Sequence, residues 1–292
     1  MAENILRKSL EKLSLPCDEI PDQNLMVISC ESVRAIAHDH KLSIRDVEIS
    51  SLEYGLVPIR YLKNIGLLGT SGQAKLLEAS VAVVGTGGLG GFVIELLSRM
   101  GVGKLVVIDY DSFAESNLNR QIMATENNLG QIKVDAVIER VKEVNSAVEF
   151  MTYKTKGQRA NFAPMLSGCS LVIDCLDNLS SRYELEETCS ELGLIMIHGA
   201  IAGFLGQIAV IYPQRPLLAS IYGSRSEVNI DRGIETKLGN PAFTPAMLAS
   251  WQVGEAVKIL AALTDLSQND YLTIIDMFTG NIHRVNLNPF SA

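Results

Sequence analysis

The stretch Ser80-Val-Ala-Val-Val-Gly-Thr-Gly-Gly-Leu-Gly-Gly91 decides the fold. Its apolar run, Val81 to Val84, has the length of a buried strand and stops at Gly85, while Phe92 to Met100 carry the apolar spacing of a helix packed on a sheet. Strand, tight glycine turn and helix follow one another. The glycines remove Cβ atoms where the backbone turns sharply and where a phosphate approaches the amide hydrogens of a helix N-terminus. A second run, Lys104-Leu-Val-Val-Ile-Asp109, ends in an acid about twenty residues past the glycines, the spacing at which a carboxylate holds ribose hydroxyls. By itself the turn fits NAD, FAD and ATP binders alike, and equally a turn that only lets a helix pack closely.

Downstream, strand and helix patterns alternate as a doubly wound, mostly parallel sheet requires. Helices are expected over 131–144 and 180–192, and strands over 148–153, 170–174 and 194–198. The last third changes character: 207–212, 271–277 and 282–287 read as an antiparallel extension, interrupted by a helix over 245–263. Gly223 to Pro241 has little periodicity and reads as a mobile crossover loop over the site. Upstream, 71–78 reads as a lead-in helix, and residues 1–57 as a small N-terminal α/β appendage to a nucleotide-binding domain over 58–292. In that appendage helices are expected over 5–15 and 31–39, a strand over 24–30, and a further helix with Ser43 as N-cap and Gly55 as stop.

A chain of 292 residues with 47% hydrophobic and 20% charged residues is an ordinary folded α/β composition. Its net charge of −8 argues against a nucleic-acid surface. The paired helices of the appendage invite a helix-turn-helix reading, but Asp46, Glu48 and Glu53 stand there against Arg45 alone, so docking or dimerisation is the better use. No apolar run is long enough for a bilayer and Met1 to Arg7 lacks an apolar signal core, so a cytoplasmic protein without membrane partners is expected. The five cysteines, Cys17, Cys30, Cys169, Cys175 and Cys189, form no CxxC pair, which disfavours a disulfide framework and a zinc site. His38 and His40 flank Asp39 at an expected helix end and read as a solvated cap.

Three polar segments narrow the chemistry. After the second strand, Asp109-Tyr-Asp111-Ser-Phe-Ala-Glu-Ser-Asn117-Leu-Asn119-Arg120-Gln121 crowds donors and acceptors into the crevice at the strand ends. Arg120 has the fork to grip phosphate oxygens, and Asn117 and Gln121 are suited to fix base, ribose or backbone. Gly130-Gln-Ile-Lys133 brings an ammonium to the next helix start, and Asp174-Cys-Leu-Asp177-Asn178 ends a strand with carboxylates, Asp177 being placed for a Mg²⁺ ion bridging a polyphosphate. Each has a plainer reading: surface charge for Arg120 and Lys133, a turn cap for Asp109, a helix N-cap for Asp177 and Asn178. Jointly the plain readings fail, because every segment falls just past a strand end on the face of the glycine turn.

In order and spacing, Gly85-Thr-Gly87-Gly88-Leu-Gly90, Asp109-x-Asp111, Asn117-x-x-Arg120-Gln121, Gly130-x-x-Lys133 and Asp174-Cys-x-Asp177-Asn178 resemble the ThiF/MoeB/HesA family, bacterial relatives of ubiquitin-activating enzymes. The resemblance spans about residues 58 to 288. It implies ATP-dependent adenylation of the C-terminal glycine carboxylate of a small β-grasp, ubiquitin-like sulfur-carrier protein ending in Gly-Gly, with release of pyrophosphate. Asp109 would bind ribose, Arg120 and Lys133 the phosphates, and Asp177 the magnesium. Such a reaction needs no protein nucleophile or general base, since the attacking carboxylate is already ionised; positioning and positive charge suffice.

Departures from the family pattern carry expectations of their own. The paired CxxC motifs of many members are missing, so zinc is not expected, and no cysteine follows Cys189 to serve a thioester or persulfide step in the crossover loop. The family's Arg-Tyr-x-Arg, whose second arginine reaches the partner subunit's ATP site, stands here as Arg60-Tyr61-Leu62-Lys63, which keeps the charge, loses the fork, and hints at a homodimer. Competing readings are an NAD-dependent oxidoreductase, disfavoured because no tyrosine has a lysine four residues on, a non-catalytic nucleotide-binding scaffold, and a transfer-RNA-modifying relative, disfavoured by the acidic charge.

Overall fold

The computed structural model describes residues 2–17, 25–225, 233, 235–263 and 270–287. The appendage opens with helix α1 (Ala2–Leu13), followed by strands β1 (Leu15–Pro16) and β2 (Met26–Ile28), helices α2 (Cys30–His40) and α3 (Ile44–Glu53), and strand β3 (Leu56–Pro58). Ser29 and Ser43 cap α2 and α3, each oxygen accepting the amide of the third residue on. Beyond α2 it is Lys41, in the left-handed region at φ 55°, that ends the helix, while His40 is turned onto Ser9 at 3.0 Å. In this small sheet β2 is central, antiparallel to β1 and parallel to β3. Asn24, where the sequence suggests the strand begins, lies outside the described residues.

A 3₁₀ segment, Ile59–Asn64, leads to helix α4 (Ile65–Glu78), six residues longer at its start than the sequence suggests and broken at Gly69, whose φ of 63° is not helical. Val27, Leu52 and Val57 pack with Tyr61, Leu62, Ile65 and Leu77, so the small module and the main domain share a core. Arg45 pairs with Glu149 of the main domain at 3.2 Å, which occupies the one basic residue of the supposed recognition helix.

The main domain alternates β4 (Ser80–Val84), α5 (Gly88–Met100), β5 (Lys104–Ile108), α6 (Lys133–Val144), β6 (Glu149–Tyr153), α7 (Arg159–Leu166), β7 (Leu171–Asp174), α8 (Leu179–Leu192), β8 (Ile195–Ala202), β9 (Leu205–Ile211), α9 (Leu218–Tyr222), α10 (Glu235–Leu238), α11 (Phe243–Leu260), β10 (Tyr271–Asp276) and β11 (Asn281–Asn286). Among the described residues the large sheet has eight strands in the order β11-β10-β9-β8-β7-β4-β5-β6. Neighbours from β6 across to β8 run parallel, and β9, β10 and β11 add antiparallel pairs. Successive residues of β4 serve opposite faces. Val81 and Val83 pack with α5, α6 and α11; Ala82 and Val84 pack with α7, α8 and α9. Helices on both faces explain why these strands are apolar throughout rather than alternating. Helix α5 starts at Gly88, four residues ahead of the expected Phe92, because packing outweighs the poor helix propensity of glycine.

Candidate functional site

The chain leaves β4 for β5 on one side, while β7 pairs on the other side of β4, so a topological switch point lies between the carboxyl ends of β4 and β7. Two loops meet there. Gly85 has φ 93°, and a Cβ on it would stand 2.7 Å from the Cys175 carbonyl oxygen. A Cβ on Gly90 would fall 1.9 Å from the Gly85 oxygen, inside the turn itself. Both positions accept only glycine. Asp109, buried at the end of β5, fastens the turn: its Oδ2 accepts the Thr86 amide at 2.6 Å and the Thr86 hydroxyl at 2.7 Å, and its Oδ1 accepts the Asp111 amide at 2.8 Å.

Between the loops opens a cavity of about 650 Å³. Gly85, Gly87, Gly88, Asp109, Asp111, Asn117, Arg120, Gln121, Lys133, Asp177 and Asn178, eleven of the thirteen residues expected at the site, line it. Gly90 supports the turn from behind. Lys133, 6% exposed, sets its Nζ 3.1 Å from Asp111 Oδ2 while its amide donates to the Asp111 carbonyl at 2.9 Å. Arg120 is half-exposed and is aimed by two bonds from Nη1, to the Ser116 carbonyl at 2.9 Å and Asn119 Oδ1 at 2.8 Å. Buried Gln121 keeps its Oε1 without a hydrogen-bond partner in the cavity wall. Asn117 accepts the Ala114 amide at 3.0 Å and thereby closes the loop, and Asn178 N-caps α8 through the Ser181 amide at 2.9 Å while donating to Asp177 at 3.3 Å.

Lys63 lies elsewhere. Its neighbours Arg60 and Tyr61 bond Asn145, just past the end of α6, and Asn64 bonds Gln73, which in turn holds the Met100 carbonyl at the end of α5. Both helices begin at the cavity and end beside the segment that carries Lys63. At about 1.5 Å per residue that is roughly 20 Å from the crevice, beyond the reach of a lysine side chain.

One buried polar network escaped the sequence reading. Asp174 Oδ2 holds His198 Nδ1 at 2.7 Å, and His198 Nε2 meets the Tyr222 hydroxyl at 3.0 Å. Arg182 donates to Tyr222 at 3.2 Å, to the Gly199 carbonyl at 3.2 Å and to the Leu176 carbonyl, and Gln207 donates to Tyr222. Thus the wall carrying Asp177 is tied to α9, at the root of the crossover segment. Residues 226–232 and 234 of that segment lie outside the described residues; Glu235, Thr236 and Asn240 from its far side line the cavity. Burial would raise the Asp174 carboxyl, but Arg182 and His198 hold it below the usual carboxylate range. Burial depresses His198 despite the pull of Asp174. Burial and Asp174 push the Cys175 thiol well up, which makes it a poor nucleophile. Asp174, His198 and Tyr222 stand 24 residues apart in turn, with no spacing to betray them. Among the described residues no group of three or more His, Cys, Asp or Glu is arranged to hold a metal, and no helix is long and apolar enough to cross a membrane.

The model of the ThiF family matches residues 61–292. The chain belongs to the ThiF family. A SAMP-activating enzyme E1 of Haloferax volcanii is 32% identical over 203 residues, 69% of this chain and 75% of that protein. A molybdopterin-synthase adenylyltransferase of Salmonella typhimurium is 30% identical over 210 residues, 70% of this chain and 82% of that one. This ThiF-family chain is accordingly an enzyme of the adenylyltransferase class. The crystal structure of E. coli MccB with ATP shares the fold at a TM-score of 0.65 and 19% identity, covering 78% of this chain and 71% of that one.

Proposed function

We propose that the protein uses ATP to adenylate the C-terminal glycine carboxylate of a small β-grasp, ubiquitin-like carrier protein ending in Gly-Gly. The carboxylate oxygen bonds to the α-phosphorus, the bond to the β-phosphate bridging oxygen breaks, and pyrophosphate leaves. One observation carries the reading: the glycine turn, two cations and a carboxylate from separate loops converge on one crevice at the switch point. Relatives named for activating SAMP and for molybdopterin synthase, and a neighbour solved with ATP, support the same choice.

In this reading the amides at the start of α5 and the cations of Arg120 and Lys133 receive the phosphates and offset the charge that builds on the equatorial oxygens. Asp109 retains acceptor capacity on Oδ1 for a ribose hydroxyl. Gln121 offers an unsatisfied acceptor to the nucleotide. The donor set suits Mg²⁺: a single cavity carboxylate such as Asp177 fits an ion that takes its other ligands from phosphate oxygens and water. When bound, that ion neutralises charge on the leaving pyrophosphate. Lys63 sits at the far end of α5 and α6 from its own crevice, which supports reading the active species as a homodimer in which Lys63 serves the partner's crevice.

Calorimetric titration with ATP plus Mg²⁺ and, separately, with NAD⁺ tests this reading. It expects magnesium-dependent ATP binding and none of NAD⁺; binding of NAD⁺ alone would return the crevice to hydride transfer.

A further inference from the structure

The segment that carries Lys63 is held by a buried polar network that no step of the adenylation uses. Glu48, on α3 of the N-terminal module, is fully buried. Its Oε2 accepts the Tyr61 hydroxyl at 3.0 Å, and its Oε1 lies 3.3 Å from Arg60 Nε. Across the segment, Asn145 donates to Tyr61 at 2.9 Å and to the Ser98 carbonyl at 2.9 Å, and accepts from Arg60 Nη1. Arg60 also donates to Cys30 Sγ at 3.3 and 3.1 Å. Two surfaces therefore grip Ile59–Asn64, the small module from one side and the ends of α5 and α6 from the other.

In a 3₁₀ helix residues i and i+3 share a face, which sets Arg60 beside Lys63. Glu48 draws the guanidinium inward, where its side chain is 16% exposed, whereas Lys63 lies at the surface. A buried ion pair is seldom a source of net stability against an apolar replacement, and its best-attested use is to fix geometry. Burial pushes the Glu48 carboxyl up against the opposing pull of Arg60 and Tyr61, so its place depends on those partners.

We propose that Glu48 is a positioning residue: through Arg60, Tyr61 and Asn145, the N-terminal module of one protomer sets Lys63 for delivery into the crevice of a second copy of the chain. The proposal rests on the shared-site reading above. It gives the module a part in the reaction rather than in stability alone, and the residue it governs acts on the other subunit's ATP.

Mixed dimers test it. Two differently tagged full-length chains are co-expressed, the mixed dimer is isolated through both tags, and carrier-dependent exchange of pyrophosphate into ATP is measured. Pairing Lys63→Ala with Lys133→Ala leaves one complete site of two and should restore about half the wild-type rate. Glu48→Gln paired with Lys133→Ala should restore the same half, whereas Glu48→Gln paired with Lys63→Ala should stay near the homodimer background, since both lesions strike the delivered lysine. The reverse pattern, recovery with Lys63→Ala and none with Lys133→Ala, would show that Glu48 serves its own crevice and would overturn the proposal. Absence of recovery in the Lys63→Ala and Lys133→Ala control would instead overturn the shared site itself. Should Glu48→Gln not fold, Tyr61→Phe removes one hydroxyl of the same network, and the same two pairings are expected to sort in the same way.

Discussion

Thr86 and Asp109 are joined twice, the backbone amide and the hydroxyl of the threonine both donating to a single carboxylate oxygen at 2.6 and 2.7 Å. Through this pair β5 holds the glycine turn that follows β4. Hydrogen bonds to a charged acceptor contribute about 1.5–3 kcal/mol each where they are buried. Asp109→Ala is therefore expected to cost at least about 2 kcal/mol in urea unfolding and to abolish ATP binding, whereas Thr86→Val, which keeps the amide bond, should cost about 1 kcal/mol. An unfolding midpoint unchanged in Asp109→Ala would contradict the fastening role.

Arg120 and Lys133 separate chemistry from folding. Arg120 is half-exposed, and the partner of Lys133, Asp111, is 48% exposed and stays hydrated when the lysine is lost. Alanine at either position should abolish pyrophosphate exchange and leave the unfolding transition within about 1 kcal/mol of wild type. Asp177→Asn should remove most activity and, with it, the response to Mg²⁺. Near-normal exchange in either cation variant would sink that residue's assignment.

The glycines differ among themselves. Gly90→Ala places a Cβ against a backbone oxygen that cannot yield, and a loss of more than about 3 kcal/mol, or failure to fold, is expected. At Gly88 the nearest atom to such a Cβ is Arg120 Cγ at 3.4 Å, part of a flexible side chain. Gly88→Ala should keep its melting temperature, helped by better helix propensity, yet bind ATP more weakly because a methyl group stands where phosphate approaches. Thermal melting and ATP titration together distinguish the two positions.

Acid should weaken the fold through His198. Burial holds its pKa below the ordinary 6.5, so below that pH the unfolded chain takes up a proton that the folded chain refuses. Stability then declines as pH falls from 6.5 toward the folded value. Asp174, also depressed, adds a second decline below 3.8, where the unfolded carboxylate protonates first. In His198→Gln the decline just below 6.5 should shrink, as followed by urea unfolding across pH; an identical profile in the variant would place the titration elsewhere.

Much of the fold is legible because each β4 residue from Val81 to Val84 answers to a packed face, and a run apolar on both faces shows in sequence as a parallel core strand. The site is legible for a related reason: in a doubly wound sheet the loops after strand ends share one crevice, so motifs far apart in sequence need only fall at strand ends to meet. Helix α7 escaped because Pro164 sits inside it and its apolar residues show no clean helical period. Strand β3 escaped because three residues carry no pattern, and it is held by pairing with β2. The links from Glu48 to Tyr61 and from Asp174 to His198 and Tyr222 are products of packing between distant segments, which local spacing does not encode.

The most direct test of the central claim is isotope exchange of pyrophosphate into ATP, with and without a β-grasp carrier protein ending in Gly-Gly. Exchange is expected to require Mg²⁺ and the carrier and to vanish when the carrier's terminal glycine is deleted. Magnesium-dependent ATP binding with no exchange across a panel of such carriers would contradict the claim and leave a nucleotide-binding scaffold in its place.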